Sequence, residues 1–271
     1  MDIVIIGAGA SGLVASIFAK KENNNVVILE RYDKIAKKIL VTCNGRCNYW
    51  NEDFDNNHFY SNNKDFLKEI NTLENREKVL NFFKLIGIIP TIKNGYYYPM
   101  SKEASSIRNA LINKAIEKGV NIITSADIKE IKKENNKFLI SYNNQNITCD
   151  KVIIATGSNS YYKEENIGYT LCKNLGHNIS KVLPSLVQLE GNGYFFKDWA
   201  GVRNNSKVSI YIDNDLKKEE SGELMLTDYG VSGICIFNLS GIANRALNDN
   251  KNVEIRINFL PEINNLKEFL E

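Results

Sequence analysis

The spacing of hydrophobic and polar positions predicts a strand, a glycine turn and a helix at the start of the chain. Four consecutive apolar residues, Ile3 to Ile6, run directly into the sequence Gly-Ala-Gly-Ala-Ser-Gly at positions 7–12. Helical periodicity follows from about Gly12 to Lys21, and a second apolar strand, Val26 to Leu29, ends in Glu30. This is the pattern of a β-α-β unit whose glycine turn opens the helix.

Each glycine of this turn has a physical role in a dinucleotide site. Gly7 permits the tight turn, Gly9 lets a pyrophosphate approach the backbone, and Gly12 lets the helix lie close to the strand. Glu30 can accept hydrogen bonds from ribose hydroxyls and would repel a 2′-phosphate, so FAD or NAD fits better than NADP. The alternative is a glycine turn that serves packing alone. The candidate cofactor-binding residues of this unit are Gly7, Ala8, Gly9, Ala10, Ser11, Gly12, Glu30 and Arg31.

The pattern changes near residue 183 from mixed helices and strands to strands alone. Before that point it predicts a surface loop over 51–63, helices over 65–70, 75–86 and 101–118 with Ser101 as N-cap, and a short helix ending at Gly176. The strands predicted there are 88–92, 95–99, 120–123, a meander over 126–131, 137–142 and 145–149, and a buried strand from Asp150 to a turn at Gly157. After it, strands are predicted over 185–189, 207–212, 223–226, 234–239 and 253–259, with a helix beginning at Pro261.

Composition narrows the class of protein. The chain has 271 residues, 43% hydrophobic residues and a net charge of +2, values that argue against a disordered chain or a nucleic-acid partner. The uncharged stretch from Ile3 to Ala19 contains three glycines and is too short to span a membrane. Five cysteines without a signal peptide indicate reduced thiols and a cytoplasmic location. His58 and His177 lie far apart, and no zinc spacing occurs, so no metal is expected.

A second polar cluster follows the second strand. Lys37, Lys38 and Arg46 bring positive charge to the edge where dinucleotide phosphates would lie, and Asn44-Gly45 is typical of a turn. A solvated basic loop is the alternative reading. Cys43 and Cys47 are four residues apart, which raises the hypothesis of a redox-active pair beside that of two small packing residues.

Taken with these motifs, the chain resembles the bacterial NAD(P)/FAD-dependent oxidoreductases that include aminoacetone-oxidase-type enzymes and 3-dehydro-bile-acid reductases. The matching segments are Lys37 to Leu40, Thr42 to Asn48, Tyr98-Pro99 with Ser101 and Ala104, Ala155-Thr156-Gly157, Gly176-His177, Pro184 to Val187, and Gly222 to Leu224 with Thr227, Gly230, Ser232 and Gly233. The chain departs from the family at Cys43, where a glycine is usual, and over 158–169, where much of the family's glycine and proline is lacking. Family members also continue into a segment that returns to the first domain, whereas this chain stops at Glu271.

The resemblance implies FAD as cofactor and an α/β fold. The expected domains are a glutathione-reductase-type, FAD-binding Rossmann-like domain over 1–184 without its C-terminal return segment, and a truncated, antiparallel, β-rich and barrel-like insert over 185–271. Lys38, Asn44, Gly45, Arg46 and Cys47 would flank the phosphates or the flavin ring, Thr156 and Gly157 would pass beneath the cofactor, and backbone near Ile128 would meet adenine.

The resulting hypothesis is an FAD-dependent oxidoreductase that exchanges hydride with a small organic substrate, with NAD(P)H as a candidate partner. No catalytic acid or base can be assigned; His177 and Tyr97 are candidates only. Two rival functions are a flavin disulfide reductase that uses Cys43 and Cys47, and a non-catalytic dinucleotide-binding fragment.

Overall fold

The computed structural model describes residues 1–59, 63–161, 166–193, 195–263 and 268–269, which form two compact units, Met1–Ile179 and Ser180–Glu271. The strands of the first unit are β1 (Asp2–Ile6), β2 (Asn25–Leu29), β3 (Trp50–Asn51), β4 (Pro90–Lys93), β5 (Tyr96–Pro99), β6 (Asn121–Ile123), β7 (Ile128–Glu134), β8 (Lys137–Tyr142), β9 (Gln145–Cys149) and β10 (Lys151–Ile154). Its helices are α1 (Ala10–Ala19), α2 (Lys37–Leu40), α3 (Lys64–Ile70), α4 (Leu73–Leu85), α5 (Ala104–Glu117) and α6 (Ile167–Asn174).

A four-stranded parallel sheet with the order β10-β1-β2-β6 organises the first unit. β1 lies between β2 and β10, with Ile6 opposite Leu29 on one side and Ile154 on the other. Parallel neighbours need crossover connections, which α1 provides between β1 and β2. The carboxyl ends of these three strands therefore meet at one edge of the sheet.

Alternation along β1 divides the first unit into two cores. Ile3 and Ile5 face one side, where they pack with α1 and α5 through residues such as Leu13 and Leu111. The opposite face, carrying Val4 and Ile6, packs against the β7-β8-β9 meander and α6. A parallel sheet covered on both faces explains why all four apolar residues of β1 are buried.

The second unit is a five-stranded antiparallel sheet with the order β11-β14-β13-β12-β15 and one long helix packed on it. Its elements are β11 (Leu189–Glu190), α7 (Phe196–Trp199), β12 (Arg203–Ile212), β13 (Asp215–Thr227), β14 (Gly230–Gly233), α8 (Ile234–Asn248) and β15 (Val253–Asn258). The parallel sheet followed by this antiparallel unit confirms the predicted fold class.

One predicted strand, 234–239, is wrong, because these residues are the first turns of α8. The apolar run Ile-Cys-Ile-Phe is too short to distinguish strand from helix by its own periodicity. The residues that α8 buries include Cys235, Leu239, Ala243 and Ala246, a helical spacing that continues beyond the predicted strand. Extending the search to Ala246 would have found the helix.

Smaller differences concern element ends. The predicted N-cap Ser101 lies before the helix, which begins at Ala104, and the Ser101 hydroxyl instead accepts a hydrogen bond from the Glu103 N–H at 3.2 Å. Of the predicted strand 185–189, only Leu189 belongs to a strand of the structure, β11, where it pairs with Val231 of β14. Within the predicted loop over 51–63, Asn51 ends β3 and 60–62 lie outside the described residues. The helix predicted from Pro261 also falls largely outside them.

Candidate dinucleotide site at the edge of the parallel sheet

The carboxyl ends of β1, β2 and β10 bring three predicted segments together. Gly7 follows β1, Glu30 follows β2, and Ala155 follows β10, and the N–H of Gly7 donates to the Leu29 carbonyl at 2.8 Å. In doubly wound sheets ligands bind outside the carboxyl ends of the strands, where neighbouring connections leave in opposite directions. This edge is therefore the candidate site.

Two glycines of the turn are required by the fold itself. Gly7 has φ +102°, and a Cβ there would lie 2.5 Å from the carbonyl oxygen of Ala155. A Cβ on Gly12 would overlap the carbonyl oxygen of Gly7. Any side chain at either position would push β1, α1 and the turn after β10 apart, whether or not a ligand binds.

Gly9 is different, because no contact among the described residues requires a glycine there. Its backbone, at φ −76° and ψ −174°, is accessible to any residue, and a Cβ would meet no described atom within 4 Å apart from its chain neighbours. Gly9 is the N-cap of α1 and provides no side-chain cap, and the described residues offer no acceptor to the N–H groups of Ala10, Ser11 and Gly12. The space beside Gly9 thus faces unpaired donors at the positive end of a helix, which is the arrangement that binds phosphate.

Glu30 has a second role that the sequence did not reveal. Its side chain is buried, and its two oxygens accept hydrogen bonds from the N–H of Ala8 at 2.6 Å and the N–H of Tyr32 at 3.0 Å. The carboxylate therefore ties the glycine turn to the end of β2. Each oxygen of a carboxylate has a further lone pair, so these bonds leave acceptor capacity for ribose hydroxyls.

The turn after β10 is held by two side chains from other segments. The ammonium group of Lys38 donates to the Ser158 carbonyl at 3.3 Å, and the amide of Asn166 donates to the Thr156 carbonyl at 2.9 Å. Gly157, which lies between Thr156 and Ser158, has φ +79°. The structure thus places Lys38, Thr156 and Gly157 together at this edge of the sheet.

Asn166 and Gly168 are residues of this edge that sequence reasoning missed. Asn166 is buried, and its side-chain oxygen caps α6 by accepting the Gly168 N–H at 2.9 Å. A Cβ on Gly168 would overlap the hydroxyl of Thr156. The available signal was Asn-x-Gly directly before a helical pattern, which is typical of an N-cap.

The loop after α2 has an unusual backbone. Cys43, Asn44 and Gly45 are consecutive left-handed residues, with φ of 47°, 55° and 81°, and Cys47 follows with φ 57°. The Arg46 N–H donates to the Thr42 carbonyl at 3.1 Å, which closes the turn predicted at Asn44-Gly45. Arg46 itself is exposed, as a side chain that contacts phosphate would need to be.

The backbone at Cys43 gives a physical reason for the glycine that is usual in the resembled family. A left-handed residue with a Cβ is strained by about 1–2 kcal/mol, whereas glycine is not. We therefore expect Cys43→Gly to raise the free energy of unfolding by roughly 0.5–1 kcal/mol, after the entropy cost of glycine. Urea unfolding measures this, and Val41→Gly, at an exposed residue with φ −99°, is the matched control and should destabilise. An equal loss in both variants would contradict the strain argument.

The two cysteines of this loop have contrasting environments. Cys43 is exposed and Cys47 is buried, and both are free thiols. Burial raises the pKa of the Cys47 thiol; a hydrogen bond with Thr42 opposes the rise and the neighbouring Cys43 adds to it. A raised pKa keeps Cys47 protonated at neutral pH, which disfavours it as an attacking thiolate.

The remaining candidates lie elsewhere in the first unit. Ile128 is buried at the start of β7. Two residues before it, the N–H of Ala126 donates to the Glu30 carbonyl at 2.8 Å. Arg31 is exposed directly after Glu30. The Tyr97 hydroxyl donates to Glu52 at 3.1 Å, and partial burial together with this bond raises the pKa of Tyr97.

His177 follows α6 and lines a groove beside β10. No hydrogen bond among the described residues joins Tyr97 or His177 to the glycine turn, Glu30 or Gly157. Neither candidate therefore gains support as an acid or base.

The described residues contain no group of three or more His, Cys, Asp or Glu side chains arranged to hold a metal ion. In the same part of the chain no helix is both long and apolar enough to cross a membrane.

Several known proteins are similar to this chain. A curated relative, the 3-dehydro-bile acid delta(4,6)-reductase of Clostridium scindens, is 35% identical over 96% of this chain. The ribosomal RNA dihydrouridine synthase of Escherichia coli is 24% identical over 99% of it. The chain spans only 65% and 66% of the length of these two relatives. Among solved structures, Thermovibrio ammonificans THI4 is similar with a TM-score of 0.45 and 19% identity, covering 65% of this chain and 62% of that one.

The family match covers most of the chain. The family model described as the HI0933-like protein Rossmann domain matches residues 1–257. With the parallel sheet, the glycine turn and Glu30 in place, this match confirms the predicted FAD-binding Rossmann-like fold and FAD as the cofactor. The chain belongs to the HI0933-like family.

Proposed function

We propose that this chain is the FAD-binding part of an oxidoreductase that acts on a small organic substrate. The observation that carries the proposal is Gly9. It is a glycine with no structural need for one, and it lies beside unpaired helix donors at the edge where Glu30 also lies. A bound dinucleotide explains all three features, because its pyrophosphate needs the space and the donors while its ribose needs the carboxylate.

We assign the residues of the site by the chemistry each can offer. The N–H groups at the start of α1 would hold the pyrophosphate, and Glu30 would accept hydrogen bonds from ribose. Lys38 and Arg46 would supply positive charge near the phosphates or flavin, while Thr156 and Gly157 would pass beneath the cofactor. The further residues proposed to contact FAD are Gly7, Ala8, Gly9, Ala10, Ser11, Gly12, Arg31, Asn44, Gly45, Cys47 and Ile128.

FAD supplies hydride-transfer chemistry when bound, and the residues of this chain would bind and orient it. We propose that 1–184 form the FAD domain and 185–271 the β-rich insert, close to the division between the two compact units after Ile179. A cytoplasmic location is proposed from the five free thiols.

The names of the two curated relatives suggest a reaction class. One is a delta(4,6)-reductase of a dehydro-bile acid and the other forms dihydrouridine, so both names describe addition of hydrogen to a carbon–carbon double bond. We propose the same reaction here, with NAD(P)H as the electron donor. A small conjugated ketone is favoured over RNA, because the relative with 35% identity acts on a bile acid and the net charge of this chain is only +2.

The test is turnover by the FAD-loaded chain under anaerobic conditions. NADH or NADPH oxidation should depend on an added conjugated steroid ketone, and a uridine-containing ribosomal RNA fragment should give none. Turnover with RNA alone would overturn the substrate class. A different outcome is bound FAD that light reduces but NADH and NADPH do not. That result would support a non-catalytic dinucleotide-binding fragment.

The rival disulfide reductase makes a separate prediction. If Cys43 and Cys47 exchanged electrons with the flavin, replacing both with serine would abolish turnover. We expect the double variant to retain its rate per bound FAD within about twofold, since burial keeps Cys47 in the thiol form. The measurement is the steady-state rate with the conjugated ketone, and FAD content serves as the control for an intact site. Loss of rate at full FAD content would establish the disulfide mechanism instead.

A further inference from the structure

The turn after β10 is held by side chains rather than by its own backbone. The N–H groups of Thr156, Gly157 and Ser158 find no acceptor among the described residues. The carbonyls of Thr156 and Ser158 accept hydrogen bonds from the Asn166 amide and the Lys38 ammonium group. The orientation of this turn therefore depends on side chains from two separate segments, the start of α6 and α2.

Asn166 is held in a single orientation by its hydrogen bonds. The residue is 5% exposed, and its backbone N–H donates to the side-chain oxygen of Asn159 at 2.8 Å. Its side-chain oxygen accepts the Gly168 N–H, while its side-chain NH₂ donates to the Thr156 carbonyl, each at 2.9 Å. Exchanging the oxygen and nitrogen of the amide would set donor against donor and acceptor against acceptor. The group that faces Thr156 is therefore the NH₂ group.

This hydrogen bond sets the direction of the next N–H group. No peptide bond of the described residues is cis, and in a planar trans peptide the C=O and N–H point in opposite directions. Because the Thr156 carbonyl is turned toward Asn166, the Gly157 N–H points away from Asn166. Gly157 is exposed, and its φ of +79° favours glycine. Asn166 thus fixes, from one side, an N–H donor that is accessible from the other.

The surroundings of Gly157 belong to the candidate dinucleotide site. The Lys38 ammonium nitrogen lies 3.5 Å from the position that a Cβ on Gly157 would take. The N-cap of α2, Ala36, is joined to the glycine turn, because its N–H donates to the Ala8 carbonyl at 3.0 Å. A ligand that extends from the glycine turn to the end of β10 would therefore meet the Gly157 N–H beside a positive charge.

We propose that Asn166 is a positioning residue for FAD, which aims the Gly157 N–H at an acceptor oxygen of the bound cofactor. This role rests on the proposed function, because it requires FAD at this edge. It is separate from the capping of α6, since capping uses only the side-chain oxygen of Asn166, whereas positioning uses its NH₂ group. Substitutions that keep the oxygen and remove the NH₂ group distinguish the two roles.

Asn166→Ser and Asn166→Asp are such substitutions, because Asn, Asp and Ser are comparable N-caps. The serine hydroxyl ends one bond short of the amide nitrogen, and aspartate places a second acceptor against the Thr156 carbonyl. We expect FAD affinity to fall about tenfold in Asn166→Ser and further in Asn166→Asp. The matched controls are the same two substitutions at Asn63, which caps α3 by accepting the Phe66 N–H at 3.0 Å. They should leave FAD affinity within about twofold, since they change a cap alone.

A direct readout comes from the peptide between Thr156 and Gly157. These residues form the only Thr-Gly pair in the sequence, so ¹³C-carbonyl threonine with ¹⁵N-glycine gives a single signal in a carbonyl–amide NMR correlation. In the wild-type chain FAD should move the Gly157 amide proton downfield and slow its exchange with water about tenfold. In Asn166→Ser saturated with FAD, both effects should be lost. A residue that only supports α6 would change neither.

The wild-type measurement does not depend on the folding of any variant. A wild-type chain that binds FAD with an unchanged Gly157 signal would overturn the positioning role and leave FAD binding intact. Wild-type affinity and an undiminished FAD-induced shift in Asn166→Ser would overturn it as well. A wild-type chain that binds no FAD would instead overturn the proposed function, and the role of Asn166 with it.

Discussion

Gly9→Asp is expected to lower FAD affinity at least a hundredfold while leaving the apoprotein as stable as before or slightly more stable. Aspartate is a good N-cap and complements the helix dipole, so α1 should gain from zero to about 1 kcal/mol. The same carboxylate would occupy the open space beside Gly9 and repel the pyrophosphate, at a cost of about 4 kcal/mol for unit charges 4 Å apart near a surface. FAD titration and thermal unfolding of the apoprotein give the two quantities separately.

Gly9→Ser and Gly12→Ala are the controls for this substitution. Serine caps equally well without a charge, so it should weaken FAD binding less than aspartate does. Gly12→Ala should unfold or strongly destabilise the apoprotein, because its Cβ would overlap the Gly7 carbonyl oxygen. If Gly9→Asp bound FAD normally, Gly9 would be an ordinary cap and the assignment of the pyrophosphate site would fail.

Glu30→Ala is expected to weaken both the fold and the cofactor site. The substitution removes the acceptor of the buried Ala8 N–H, at about 1–3 kcal/mol, and that of the half-buried Tyr32 N–H, at a smaller cost. It also removes the proposed ribose acceptor, so FAD affinity should fall by at least tenfold, or roughly 1.4 kcal/mol. Chemical unfolding of the apoprotein and FAD titration measure the two effects.

Glu30→Gln separates these roles in part. The glutamine carbonyl can replace one acceptor, but its NH₂ group cannot accept the second N–H, so the stability loss should be about half that of alanine. Unchanged stability in both variants would show that the two hydrogen bonds of Glu30 do not hold the glycine turn.

The β1-α1-β2 unit could be predicted because its apolar runs and glycines are local signals. Gly7 and Gly12 allow the close approach of backbone that their predicted roles require. Glu30 lies at the end of β2, as the pattern predicts. The second bond of Glu30, to Ala8, could not be foreseen, because it joins residues that only the parallel pairing of β1 and β2 brings together.

The parts that escaped prediction depend on long-range packing. Asn166 reaches Thr156 only after α6 has docked beside β10, and no local pattern announces that contact. At α8, a short apolar run predicts a strand, although the period of buried residues extends to Ala246. Glycine is usual in the resembled family where Cys43 stands, and the left-handed backbone at this position supplies the reason.

The most direct test of the central claim is FAD binding by the purified 271-residue chain. Titration of the apoprotein, followed by flavin fluorescence and thermal unfolding, should show one FAD bound per chain, a raised unfolding temperature and no such response for Gly9→Asp. A folded apoprotein that neither binds FAD nor gains stability from it would contradict the proposed function.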